Sequence, residues 1–206
     1  MVRDLELFSK RARLNTPASA TDIDEERAPS PDTHSMPPEA STMGVIERVD
    51  MINFMCHRNL SITLGPRINF IIGHNGSGKS AILTAITVTL GGKAQTTSRG
   101  SSLKDFILEG AQAAEVRVRL RNGGSDAYRP DLYGDAINIE RRIHSDGSGS
   151  WKIKNADGKT ISTKREELDA ICDHANIQVD NPMNILSQDA ARQFLGSSQP
   201  EDKYNF

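Results

Sequence analysis

Gly73-His74-Asn75-Gly76-Ser77-Gly78-Lys79-Ser80 is a full match to the phosphate-loop pattern G-x-x-x-x-G-K-[ST]. Such a loop works through its backbone: successive N–H groups wrap a phosphate while the positive end of the following helix faces it. Glycine at 73, 76 and 78 permits positive φ and removes the β-carbons that would keep the backbone away from oxygen. Lys79 is expected to bridge the β- and γ-phosphates, and Ser80 to place its hydroxyl on Mg²⁺. The cofactors to expect are therefore ATP and Mg²⁺, held by Gly73, His74, Asn75, Gly76, Ser77, Gly78, Lys79 and Ser80. His74 fills a variable position, so its side chain should face solvent.

The elements needed to position this loop can be read on both sides of it. Ile68, Phe70, Ile71 and Ile72 form a short apolar run that stops at glycine, which predicts a buried strand leading into the loop. Ser80 to Leu90 carries Ile82, Leu83, Ile86 and Leu90 at helical spacing, and Gly91-Gly92 supplies the stop. Before the loop, Val45 to Ile52 and Ile62 to Leu64 read as strands, followed by a Gly65-Pro66 turn. After it, Glu115 to Arg121 alternates strictly, with Val116, Val118 and Leu120 on one face and Arg117, Arg119 and Arg121 on a solvated one. Ile137, Ile139 and Ile143 predict a second such strand and Trp151 with Ile153 a third, with a turn at Asn155 to Gly158 closing an antiparallel meander. A helix is expected over about 163–175, with Leu168, Ile171 and Cys172 inward, and another starting near Asp189. The fold class is α/β.

Composition sets the frame. The chain has 206 residues, 36% hydrophobic and 25% charged, as a soluble, core-forming domain has. No run is long and apolar enough to span a bilayer, so no membrane is expected among its partners. Two cysteines, Cys56 and Cys172, give no disulfide framework and point to a reducing compartment. All 16 glycines lie at Gly44 or later, whereas five of nine prolines precede it. Residues 1–43 hold one aromatic, Phe8, and eight acidic against five basic residues, which predicts a disordered tail. The remainder is balanced, with 20 basic and 19 acidic residues, and the net charge of -2 carries no sign of a nucleic-acid binder. Cys56-His57 and Cys172 with His174 match no common zinc spacing.

Three further stretches carry a family resemblance: Asn53 to Leu60, the loop itself, and Asn184-Ile185-Leu186-Ser187-Gln188-Asp189. Together they resemble the amino-terminal head segment of the structural-maintenance-of-chromosomes (SMC) ATPases. Gly91-Gly92-Lys93-Ala94, Thr97-Ser98-Arg99-Gly100 and Asn176 to Met183 are most similar to subtype six, the partner of subtype five in a DNA-repair complex. The resemblance covers residues 44–206 and implies a P-loop head of the ABC/SMC type. It implies that Gln188 is the glutamine that contacts the metal and helps orient water, an amide being able to donate and accept together. Arg99 then corresponds to the arginine that reaches toward DNA or the nucleotide. Residues 57–59, with Arg58 and Asn59 as the candidate contacts, resemble the segment beside the adenine and ribose.

The same resemblance implies partners and a limit. Relatives of this kind pair with subtype five, bind a kleisin and other non-SMC subunits, and act on DNA in the nucleus, on chromosomes. They also use a Walker B aspartate, a neighbouring glutamate and a serine-glycine signature loop. This sequence contains no apolar run ending in Asp-Glu and no Leu-Ser-Gly-Gly stretch. The chain is therefore expected to be half of a head, without ATP turnover of its own, ending about where relatives enter a long coiled coil and completed by a carboxyl-terminal half that returns after it. Recombination ATPases of the RecF or RecN type share the loop and the glutamine. A non-catalytic interaction module is the other reading.

Overall fold

The computed structural model describes residues 42–97, 99–181, 184–188, 191, 192 and 196. The expected tail, apart from residues 42 and 43, lies outside the described residues, as do Ser98, Pro182, Met183 and most of the helix expected near Asp189.

Six antiparallel strands build one sheet: β1 (Ile46–Phe54), β2 (His57–Thr63), β3 (Ala113–Arg121), β4 (Ala136–His144), β5 (Gly149–Lys154) and β6 (Thr160–Ser162). Their order is β2-β1-β3-β4-β5-β6. Between β2 and β3 the chain leaves the sheet to form the phosphate loop, helix α1 (Lys79–Thr89) and two short 3-10 turns, Ala94–Thr97 and Leu103–Phe106. A one-turn helix α2 (Pro130–Tyr133) precedes β4, and α3 (Arg165–His174) follows β6.

Alternation decides which face is covered, because successive strand side chains point to opposite sides. Val49, Val118, Ile139 and Ile153 are cross-strand partners in one row and all are fully buried. Burying a side chain of this size stabilises the fold by roughly 1.5–3 kcal/mol. The next row runs Met51, Val116, Arg141, Trp151. Arg141 is buried, and its guanidinium carbon lies 3.1 Å from the centroid of the Trp151 ring. Burial, and then the charge of Arg165, bring its pKa down to about 10, so it remains a cation at neutral pH.

The opposite face is charged and paired. Arg117 meets Glu115 and Glu140, Arg119 and Arg121 both bond Glu47 (3.1 and 2.7 Å), and Lys154 donates to Glu140 at 2.7 Å. The arginines read as a solvated strand face are thus in ion pairs. Burial pushes the Glu140 carboxyl up, but Lys154, Arg117 and Lys152 outweigh it and hold it below the usual 4.5.

The C-terminal end of α1 is held from outside the helix. The Trp151 indole donates to Thr89 O (3.0 Å), Arg165 Nη2 to Gly91 O (2.8 Å) and the Cys172 thiol to Leu90 O (3.7 Å). These donors satisfy carbonyls that lack an intrahelical partner, and the cation also suits the negative end of the helix dipole. Burial raises the Cys172 thiol to about 11, so it stays protonated and able to donate. In α3, Glu167 accepts from Tyr133 (2.8 Å) and Tyr128 (3.2 Å), fixing the helix against the 122–134 connection.

One expectation is corrected. Ile68 to Ile72 forms no strand, and Ile68, Phe70 and Ile72 are 81%, 67% and 62% exposed. Only Ile71 packs against the core. The run is extended, with its start fixed by Asn69, whose side chain accepts from Gly65 N–H (2.7 Å) and donates to Gly65 O (3.0 Å). A strand exists only where a neighbour takes its N–H and C=O groups. Among the described residues no segment lies beside this run to do so.

Because the native Glu140 carboxyl is held low, its contribution is fully present above its unfolded pKa and is lost as pH falls through the lower native value. Glu140→Gln should cost about 1–3 kcal/mol at pH 7. Denaturant melts of both proteins from pH 7 to pH 2.5 should show that gap closing below about pH 4.5; a constant gap would contradict the role assigned to the carboxylate.

Candidate functional site

The phosphate loop runs from the exposed segment into α1, as its motif requires. Ser77 N–H donates to His74 O (3.1 Å) and closes a turn, and the first amides of α1 have no intrahelical acceptor by position. Gly76 and Gly78 take positive φ, +81° and +85°, whereas Gly73 does not, so the conformational reason given for glycine holds at two of the three positions. His74 is exposed. Ser77 Oγ is buried without a hydrogen-bond partner, as a donor reserved for an oxygen would be. The Lys79 ammonium donates to two carbonyls of its own loop, Gly73 O and His74 O, both at 2.7 Å. These amides, one ammonium and two hydroxyls fit a polyphosphate with its metal, Lys79 meeting phosphate oxygens and Ser80 the cation.

Gly78 is where the loop meets the rest of the fold. The tip of the β1–β2 hairpin presses on it, with His57 Nε2 3.3 Å from Gly78 O. A β-carbon at Gly78 would lie 2.1 Å from His57 Nε2 and 2.7 Å from Cys56 Sγ. That tip is held in place by Met55 N–H to Phe106 O (2.7 Å), Leu108 N–H to Asn53 O (2.8 Å) and the Phe54–Phe106 ring contact at 5.7 Å. Asn53 and Met55 have φ of +50° and +51°, a conformation that costs non-glycine residues about 1–2 kcal/mol each and persists because these bonds fix it.

Of the other expected residues, Arg99 arrives at the loop: its Nη2 donates to Ser80 Oγ at 3.3 Å. Gln188 is exposed and makes no hydrogen bond to Ser80; before it, Val179, Asp180, Asn181, Ile185 and Ser187 line a cavity of about 260 Å³ against Leu83, Thr84 and Thr87 of α1. Arg58 and Asn59 are exposed on β2, and it is their neighbour His57 that touches the loop. Sequence reasoning missed this contact, which joins residues 21 apart through a turn. No His, Cys, Asp or Glu cluster able to hold a metal occurs among the described residues, and both cysteines are free.

Gly78→Ala combines an unfavourable φ with a clash, and should lower stability by about 2–4 kcal/mol. Adding His57→Ala removes the closest clash but neither the Cys56 Sγ contact nor the φ, so the double variant should recover part of the loss. Thermal melts of the two variants check this, and a double variant no better than Gly78→Ala would show that the hairpin tip does not set the loop.

Comparison with known proteins agrees with this geometry. The AAA domain family model matches residues 48–204. The chain is 54% identical over 162 residues to structural maintenance of chromosomes protein 6 of Schizosaccharomyces pombe, covering 79% of this chain and 14% of that protein. It is 50% identical over 168 residues to the protein of the same name from Homo sapiens, covering 81% and 15%. Among solved structures, it matches an SMC ATPase described for ATP-driven dimerization and DNA-stimulated activation, with TM-score 0.65 and 29% identity over 77% of this chain and 95% of that one. It also matches the Pyrococcus furiosus Smc head with an extended coiled coil bound to the C-terminal domain of ScpA, with TM-score 0.58 and 29% identity over 79% and 40%. The chain thus spans about one seventh of the length of the curated relatives it matches. It belongs to the AAA-domain family, and the matched region is an N-terminal head region of SMC type, most like that of subtype six.

Proposed function

We propose that this chain is the ATP-binding half of a head ATPase acting in DNA repair, recombination and chromosome maintenance, in the nucleus and on chromosomes. The observation that carries the reading is the exposed Gly73–Ser80 cradle at the start of α1, with Lys79 and Arg99 already at it. In this reading the loop amides wrap the β-phosphate, Lys79 bridges β and γ, and Ser80 holds Mg²⁺. Gln188 would supply an amide to the metal and its water, Arg58 and Asn59 would serve the base and ribose, and Arg99 would answer to the nucleotide or to DNA.

The partners follow from what the chain lacks. Ile68, Phe70 and Ile72 present an apolar, hydrogen-bond-hungry segment beside the loop, which supports completion of the head by a carboxyl-terminal half. Related heads bind ScpA, which supports a kleisin partner. An SMC protein of subtype five as the second head, and duplex DNA on the engaged pair, complete the assembly. ATP is then sandwiched between two heads, and hydrolysis lets them part. The groups that polarise water come from outside this chain, so the chain alone binds nucleotide without turning it over.

The test is equilibrium binding of a fluorescent ATP analogue to the 206-residue chain, beside a phosphate-release assay. Lys79→Ala should weaken binding at least about ten-fold, the loss of one charge-assisted contact. Wild type should release no phosphate until a carboxyl-terminal head half is supplied. Turnover by the chain alone that disappears in Lys79→Ala would overturn the half-head reading; no binding by wild type would overturn the nucleotide reading.

A further inference from the structure

Arg99 reaches Ser80, whose hydroxyl is the one expected to hold the metal. Its Nη2 donates to Ser80 Oγ at 3.3 Å, across 19 residues of sequence, while the Lys79 ammonium is taken up by Gly73 O and His74 O. The segment that carries Arg99 is built to hold it there. Before it, the Thr96 and Thr97 hydroxyls donate to Lys93 O and Ala94 O, both at 2.7 Å, and Gln95 Nε2 reaches across to Ser101 O (3.0 Å). After it, the Asp105 carboxylate accepts from Ser101 N–H and Ser102 N–H (both 2.9 Å), a capping arrangement that fixes the start of the second 3-10 turn. Gly100 makes the tight passage possible, since a β-carbon there would come within 3.0 Å of Asp105 Cβ and Phe106 Cε1. Arg99 itself is exposed, so it is free to leave.

We propose that Arg99 is a surrogate cation for the metal at Ser80: its guanidinium takes the Ser80 hydroxyl while no metal is bound, and entry of Mg²⁺ with nucleotide displaces it. This rests on the nucleotide reading above and extends it to a competition between two positive charges for one oxygen. A hydroxyl that accepts from a guanidinium cannot offer the same lone pair to a divalent ion, and the two charges repel at such distances. Metal loading is thereby coupled to release of the Arg99 side chain. A guanidinium that only contacted phosphate would show no such dependence on Ser80.

The competition is read from the Mg²⁺ midpoint rather than from turnover. The 206-residue chain is loaded with a fluorescent non-hydrolysable ATP analogue in metal-free buffer, and Mg²⁺ is titrated in for wild type, Arg99→Ala, Ser80→Ala and the double variant. Removing the competitor should lower the Mg²⁺ midpoint about five-fold in Arg99→Ala, the equivalent of one modest hydrogen bond. The same Arg99→Ala change made in the Ser80→Ala background should produce no shift, because the contested oxygen is gone. Circular dichroism checks that each variant is folded, which is expected for two exposed positions. An unchanged midpoint in Arg99→Ala, or an equal shift with and without Ser80, overturns the inference while leaving the nucleotide reading intact. Failure of wild type to bind the analogue at all removes both.

Discussion

Backbone amides at the start of a helix can hold a phosphate only if nothing else satisfies them and the helix itself cannot move. Both halves of this constraint are visible around α1. The amides of Lys79 and Ser80 have no acceptor among the described residues, Ala81 N–H being turned back to Gly78 O (2.9 Å), while the carbonyls at the other end are taken by the Trp151 indole, the Cys172 thiol and the Arg165 guanidinium. The donors come from β5 and α3, the far side of the antiparallel sheet's connections, so the meander is what fixes the phosphate helix. Arg141 belongs to the same arrangement: it covers the Trp151 ring and adds a second cation near the negative end of α1.

The other end of the loop is held very differently. The extended segment from Ile68 to Ile72 leads straight into Gly73, yet it has one packed residue, Ile71, and three exposed apolar ones. An apolar segment left without neighbours is a surface open to a strand-forming partner. The cradle is therefore rigid where it meets the hairpin tip and α1, and unsupported where it meets this segment. That asymmetry fits a chain that spans about one seventh of its relatives' length.

The parts that could be read from sequence are those whose signal is local. The eight loop residues are contiguous, so pattern and flanks sufficed. The strands β3 and β4 showed themselves by alternation, and that alternation also places Arg141 in the apolar row with Ile137, Ile139 and Ile143. What it could not supply was the partner, since the stacking on Trp151 depends on the register between β4 and β5. The run at 68–72 was misread because apolar composition reports that a segment is to be buried, not what will bury it. The contact of His57 with Gly78 depends on positive φ at Asn53 and Met55; asparagine adopts it readily, but nothing in the type of Met55 announces it. Arg99 was legible only through family resemblance; its bond to Ser80 arises from the Gly100 passage and the Asp105 cap, which no spacing rule joins to the loop.

Amide hydrogen exchange across residues 68–72 tests most directly the claim that the phosphate loop stands on a strand still to be completed. In the 206-residue chain these amides should exchange at close to unprotected rates while those of β1 and β3 are protected. Supplying a carboxyl-terminal head half should slow them by about a hundred-fold or more, as pairing in a sheet does. Protection at 68–72 equal to that of β3 in the chain alone, unaltered by the added half, would contradict the account.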